Sequence, residues 1–163
     1  MTELDPLSEA MVRLFLRIDA AQPTDPVLRA AAEFWQDRRG GKVMPDRDDL
    51  TELPAILLPH VFHAHLAING SQHWLISLAG SFARELLGIT GHEPAEAADK
   101  RMAVRLRHLF DLVAARAEPY SAMFEMADGD GRRHLVEIYA APVQRPEQSE
   151  HLIFATANSR REA

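Results

Sequence analysis

Three histidines lie within six positions of one apolar stretch, LLPHVFHAHL at residues 57–66. His60, His63 and His65 could bind a metal ion, handle protons, or mark the wetter face of a β-strand. Three imidazoles can hold zinc and leave the open coordination position that catalytic zinc sites keep. Imidazole also changes its charge near neutral pH without help from its surroundings. The elements that carry these side chains decide between the three roles.

Two β-strands are predicted around the histidines. Residues 60–68 and 73–79 alternate with a period of two, and the sequence NGSQ between them is typical of a hairpin turn. A loop of three or five residues gives the hairpin one consistently apolar face, and it places His63, His65 and His73 together on the other face. His60 shares the parity of the apolar face, and we predict a structural role for it.

The outer histidine cluster, which consists of His63, His65 and His73, has three interpretations. No Asp, Glu or Cys of the same local segment completes or orients a metal site. The sequence therefore favours a partly solvated face, or a face covered by a helix or a second subunit, over a metal-dependent hydrolase or lyase. The third interpretation is a pH-responsive interface.

The remaining elements are helices followed by three strands. Asp5-Pro6 and Asp25-Pro26 each combine an N-cap side chain with a proline suited to the first helical turn, and they predict helices over 6–20 and 26–39. The apolar spacing predicts further helices at 81–88 and 98–117, and strands at 120–127, 133–143 and 151–159. This order predicts an α+β domain with one antiparallel sheet of mixed strand order.

Composition excludes several classes of protein. A chain of 163 residues is sized for one domain, and its net charge of −6, with no basic stripe, disfavours a nucleic-acid partner held by phosphate contacts. The absence of cysteine removes disulfides, thiolate metal ligands and cysteine nucleophiles. No apolar run approaches the roughly 20 residues of a membrane span, and the acidic start MTELDPLSEA is not a signal peptide. We therefore expect a cytoplasmic protein without membrane insertion.

The motifs of residues 34–62 resemble those of the PAS domain superfamily, in particular a family of short stand-alone bacterial PAS-fold proteins. The motifs are an aromatic-rich helix, an R-G turn, M-P-x-R and L-P-H, represented here by Trp35, Arg39-Gly40, Met44-Pro45 with Arg47, and Leu58-Pro59-His60. WLISLAGSFARELLGITG at 74–91 continues the resemblance, which covers about residues 26–158. It implies a five-stranded antiparallel sheet with helices packed on one face. Outside the resemblance, we predict an N-terminal helical extension over 1–25 and a tail over 159–163.

The resemblance implies a sensory or regulatory module in signal transduction, which acts by binding a small ligand, a protein partner, or both. No catalytic residue is predicted, since no G-x-S-x-G elbow or phosphate-binding glycine loop is present. Apolar side chains between the sheet and its helices could form either a plain core or a pocket for a small apolar or amphipathic ligand. These residues are Phe62, Leu66, Ile76, Leu78, Phe82, Leu86, Leu106, Leu109, Phe124, Met126 and Ile138. The alternative function is a pure protein-interaction adaptor with a filled core.

Two further features bear on cofactors and partners. Some PAS domains hold haem through a histidine of the long helix, but His108 lies about 130° from the apolar stripe of its predicted helix. We expect His108 to face solvent, which argues against haem. The N-terminal stripe either packs on the domain's own sheet or pairs with its copy in a homodimer, and we expect a homodimer. The predicted interface residues are this stripe, Leu7, Met11, Leu14 and Ile18, together with the outer histidine cluster.

Overall fold

The computed structural model describes residues 13–67, 73–89, 93–94, 100–127, 129–144 and 150–161. Within these ranges the helices are α1 (Pro26–Arg39), α2 (Ser81–Leu87) and α3 (Lys100–Arg116), and Asp48–Leu50 form a short 3-10 turn. The strands are β1 (Arg17–Asp19), β2 (Val61–Ala67), β3 (Leu75–Ser77), β4 (Glu93–Pro94), β5 (Tyr120–Ala127), β6 (Arg133–Val143) and β7 (Glu150–Arg161). None of the described helices is long and apolar enough to cross a membrane.

The described strands form one antiparallel sheet in the order β1-β5-β6-β7-β2-β3-β4. The predicted α+β class with a single antiparallel sheet is therefore confirmed. The predicted hairpin register is confirmed as well, because Ala64 lies opposite Ile76 and His63 lies opposite Ser77. The five predicted strands form the continuous block β5-β6-β7-β2-β3. The short strands β1 and β4 extend this block at its two edges, so the described sheet has seven strands rather than five.

The predicted helix over 6–20 is wrong for Arg17–Asp19, which form β1 and pair with β5. The free edge of β5 offers backbone hydrogen-bonding groups, and pairing with them outweighs the helical spacing of the apolar residues. Leu14 and Ile18 of the predicted interface stripe pack against the domain's own core, while Leu7 and Met11 lie outside the described residues.

Helices cover both faces of the sheet, whereas the resemblance predicts helices on one face. The inner core lies between the sheet and the helices α2 and α3, and the outer core lies between the sheet and α1. Helices are needed on both faces because β6 carries apolar side chains on each of them, and both sets must be buried. Its inward residues are Val136, Ile138 and Ala140, and its outward residues are Tyr139, Ala141 and Val143.

Polar contacts fix the start of α1 against the outer face of the sheet. The carboxylate of Asp25 accepts hydrogen bonds from two amides of the first helical turn and, through Oδ2, from the side-chain amide of Asn158 at 2.9 Å. The buried carboxylate of Glu137 accepts from the hydroxyl and the amide of Thr24, both at 2.8 Å, and from the amide of Asp25 at 2.9 Å. The buried acid Glu137 thus has hydrogen-bond donors for both of its carboxylate oxygens. At the other end of α1, the indole of Trp35 donates to the carbonyl of Pro142 at 2.9 Å.

Candidate functional sites

The predicted ligand-lining residues are mostly part of the packed inner core. Six of them are no more than 1% exposed, namely Phe62, Ile76, Leu106, Leu109, Phe124 and Ile138. Leu66, Leu86 and Met126 are partly buried and pack against the same core. The sheet, the short helix and the long helix therefore do meet at these side chains, as their periodicity predicts.

Aromatic side chains occupy the space between β2, β3 and α3. The ring of Phe110 on α3 lies 5.3 Å from that of Trp74 and 6.1 Å from that of Phe62, measured between centroids. The indole of Trp74 also donates a hydrogen bond of 2.9 Å to the carboxylate of Asp111. These contacts lock the centre of the long helix onto the sheet, so this part of the interior is filled by the protein's own side chains.

Leu78 and Phe82 lie outside the inner core, contrary to the expectation for a shared lining. Leu78 is 63% exposed, because β3 ends at Ser77 and the alternation of faces stops with it. Its backbone has φ of 52°, in the left-handed region that a leucine rarely adopts. Phe82 is half-buried and, with Leu86 and Met126, lines an open groove of about 290 Å³ beside the inner core.

The three residues of the outer histidine cluster differ in their positions and exposure. His63 and His65 lie on the outer face of β2, and His73 is exposed ahead of β3. His63 borders a small cavity of about 40 Å³ that Arg47, His65 and Ser77 also line. In the described part of the chain, no group of three or more His, Asp or Glu residues is placed to hold a metal ion.

His63 is held in its neutral form. Its Nε2 is shut off from solvent and has no hydrogen-bond partner among the described residues. Burial lowers the pKa of His63 from 6.5 to about 4, and the positive charge of Arg47 adds to the effect. The side chain is therefore uncharged at neutral pH, and its ring makes an edge-on contact with that of Phe154, with centroids 6.2 Å apart.

His60 has the structural contacts that its place in the L-P-H motif predicts. Its Nδ1 lies 2.9 Å from the carbonyl oxygen of Ala157, to which it donates in the neutral tautomer protonated at Nδ1. Its ring packs on that of Phe82 with centroids 4.8 Å apart. The histidine therefore ties β7 and α2 to the entry of β2.

The L-P-H motif and Gly80 form one junction. The amide of Gly80 donates to the carbonyl of Val61 at 2.8 Å, and the amide of Ala83 donates to that of Pro59 at 2.9 Å. A methyl group at Gly80 would overlap the carbonyl of Leu58 and lie 2.7 Å from that of Pro59. Close backbone approach thus explains why a glycine precedes α2 and why the motif residues occur together.

Three aliphatic side chains near this junction face solvent. We call Ile56, Leu58 and Leu78 the aliphatic rim; they are 59%, 53% and 63% exposed, although Leu57 between the first two is fully buried. Exposed aliphatic residues are common one at a time, but a group near a strained backbone position is typical of a contact surface.

His108 is half-buried rather than turned fully to solvent. Its Nδ1 is enclosed without a partner among the described residues, and burial lowers its pKa, with Arg107 adding to the shift and Asp111 opposing it. The physical reason lies one turn along α3, where the indole of Trp74 reaches across to Asp111 and covers part of that helical face.

The acid that anchors α1 on the sheet is absent from the predicted site residues. Glu137 interrupts an otherwise apolar stretch, LVEIYAA, and a lone acid in such a strand could have indicated a buried polar anchor. Arg47 belongs to the M-P-x-R motif, but nothing in its spacing predicts that it lies beside His63.

No family model matches this chain, and no curated protein matches it. Among solved structures, it is similar to one described as the structure of an RNA-binding Light-Oxygen-Voltage receptor, with 13% sequence identity and a TM-score of 0.37. The match covers 65% of this chain and 34% of that chain. The chain thus corresponds to about a third of the length of that receptor, and its function has to be argued from its own geometry.

Proposed function

We propose that this protein is a PAS-like regulatory module that acts by binding rather than catalysis, and that it binds at its surface rather than in its interior. The observation that carries this proposal is the filled inner core. Phe110 and Trp74 pack between the sheet and α3, where a ligand of a sensory domain would otherwise lie. Of the functions that the resemblance implies, the interaction module fits this packing better than an internal ligand sensor.

The arrangement of the elements supports the PAS-like part of the proposal. The central five strands are antiparallel, and α2 and α3 lie together on one face between β3 and β5 in sequence. The outer helix α1 is an addition to this pattern. It packs on the sheet face to which His63 and His65 belong, whereas His73 is exposed.

The aliphatic rim supports a protein partner. Leu78 keeps its side chain in solvent at the cost of an unfavourable backbone conformation, which costs of order 1–3 kcal/mol at a non-glycine position. A partner that buries the rim would gain roughly 1.5–3 kcal/mol for each leucine side chain that it covers fully. Binding would then favour one arrangement of the junction between the L-P-H motif and α2.

Quantitative cross-linking in the native host tests this proposal. The wild-type chain and a double variant, Leu58→Ser with Leu78→Ser, would be compared for the partners they retain, and each candidate would then be titrated as purified protein. Leu16→Ser is the matched control, because Leu16 is as exposed as Leu78 but lies beside β1. We expect the double variant to bind at least tenfold more weakly and the control to bind like wild type.

The alternative functions predict different results. A small molecule found between the sheet and α3 in a crystal structure of the purified protein would favour an internal sensor and contradict the filled-core proposal. Stoichiometric metal in untagged protein would favour the metal-dependent enzyme. The homodimer stays a prediction, and light scattering of the full chain at several concentrations tests it.

A further inference from the structure

A cleft with two lobes lies where the end of α1 meets the end of α3. One lobe has a volume of about 440 Å³ and the other about 590 Å³, and they adjoin at Val43 and Ala117, which line both. Each volume falls within the roughly 300–1,000 Å³ typical of small-molecule sites. The cleft lies outside the inner core, since none of its lining residues is a buried member of that core.

The two lobes differ in chemistry. The first has aliphatic walls that include Val43, Met44 and Leu152, together with the polar side chains of Gln144 and His151. The second is lined by Trp35, Arg39 and Lys42, with Glu118 as its acidic member. The cleft therefore offers an aliphatic surface at one end and positive charge at the other.

Arg39 is the group in the cleft that can receive an anion. The ammonium of Lys42 is already paired with Asp49 at 2.7 Å, and the carboxylate of Glu118 accepts from the hydroxyl of Tyr120 at 2.7 Å. The guanidinium of Arg39 instead stacks over Trp35, 5.5 Å from the ring centroid, and its Nε has no hydrogen-bond partner among the described residues. A stacked guanidinium presents its planar fork in a fixed orientation, which suits two hydrogen bonds to one carboxylate.

We propose that this cleft binds a small amphipathic carboxylate, with its head group on Arg39 and its aliphatic tail along Val43, Met44 and Leu152. A single guanidinium close to aliphatic side chains matches one negative charge on an amphipathic molecule better than a phosphate, which favours several charged donors. The inference does not depend on the aliphatic rim or on a protein partner.

The position of the cleft gives such a ligand a means of regulation. Its walls come from α1 on the outer face of the sheet, from the end of α3 on the inner face, and from the ends of β6 and β7 between them. A bound carboxylate would contact both helical layers at once. It would therefore favour whichever arrangement of the two layers fits it best.

Calorimetric titration of the full chain with octanoate tests the proposal, with octanol as the uncharged probe of equal length. We expect saturable octanoate binding that is at least tenfold stronger than octanol binding, since a charge-assisted hydrogen bond is lost with the alcohol. Arg39→Gln should weaken octanoate binding at least tenfold and leave octanol binding unchanged. Arg38→Gln is the matched control, because Arg38 stacks on Phe34 at 5.1 Å in the same turn of α1 but does not line the cleft. It should bind octanoate like wild type.

A second variant keeps the test decisive if Arg39→Gln does not fold. Val43 is 75% exposed, so Val43→Glu should fold, and it places a carboxylate where the two lobes join. We expect it to abolish octanoate binding. The proposal is overturned if wild type shows no saturable octanoate binding, if octanol binds as tightly, or if folded Val43→Glu or Arg39→Gln binds octanoate as well as wild type does.

Discussion

Protonation of His63 should destabilise the folded protein as the pH falls. The folded-state pKa of about 4 lies below the ordinary value of 6.5, mainly because the ring is buried and also because Arg47 is near. The unfolded chain therefore binds the proton more readily between pH 6.5 and pH 4. The contribution of His63 to stability is fully present above pH 6.5 and is lost as the pH falls through this window.

The magnitude follows from the two pKa values. A shift from 6.5 to about 4 corresponds to roughly 3 kcal/mol once both states are protonated, and to about 2 kcal/mol at pH 5. This is a large share of the roughly 5–15 kcal/mol that stabilises a typical domain. The cost arises because a charged imidazole would lie beside a guanidinium with its Nε2 shut off from water.

Urea unfolding of wild type and His63→Leu at pH 7.5, 6 and 5 measures this effect. Other groups also titrate in this range, so the informative quantity is the difference in unfolding free energy between the two proteins. We expect this difference to shift by about 2 kcal/mol in favour of the variant between pH 7.5 and pH 5. The control variant His65→Leu, changed two residues along the same face of β2, retains His63. It should therefore retain the loss of unfolding free energy that His63 causes as the pH falls. A difference between wild type and His63→Leu that stays constant with pH would refute the reasoning.

Three further predictions concern stability, each measured by urea unfolding at pH 7.5. Gly80→Ala should cost about 2 kcal/mol, because the new methyl group meets the carbonyl of Leu58, whereas Gly41→Ala, which has open space around it, should stay within about 0.5 kcal/mol of wild type. An equal cost at the two glycines would contradict the close approach. Leu78→Asn should stabilise the protein by about 1 kcal/mol, since asparagine tolerates positive φ, and a loss of stability would argue against strain there. Asp25→Ala should cost about 1–2 kcal/mol through the lost helix cap, and no loss would contradict its capping role.

The hairpin that carries the histidines could be predicted because its information is local. The alternation of apolar residues in β2 and β3 determines the register, since only one pairing parity gives a consistent buried face. The same argument predicted that His63 and His65 share a face. It could not predict that α1 covers that face, because the choice depends on contacts between residues more than 100 positions apart, such as Thr24 with Glu137.

The errors at Leu78 and β1 have related causes. The strand predicted over 73–79 ends two residues early, at Ser77, because the chain turns there and brings Gly80 against the L-P-H motif. β1 has three residues, too few to show a period, and it owes its conformation to the edge of β5. Periodicity predicts long elements well and fails where a neighbour in space decides the backbone.

The residues that line the proposed cleft could be found in the sequence only as parts of motifs. Arg39 and Val43 belong to the stretch that resembles the PAS family, but Ala117 and Leu152 come from distant elements without a recognisable pattern. A cleft of this kind arises from how helices end against a sheet, which a linear pattern does not record.

The central position of β7 has a consequence for how the protein is made. β7 lies between β6 and β2 in the sheet, although it follows all the other described strands along the chain. α1 and β2 leave the ribosome long before β7. The carboxylate of Asp25 can accept its hydrogen bond from Asn158 only after that residue, 133 positions further on, has been made. Until β7 is synthesised, the apolar face of α1, including Leu28 and Trp35, has no complete sheet to cover it. The nascent chain therefore exposes that face until β7 has been made, and the sheet closes when this strand is inserted between β6 and β2.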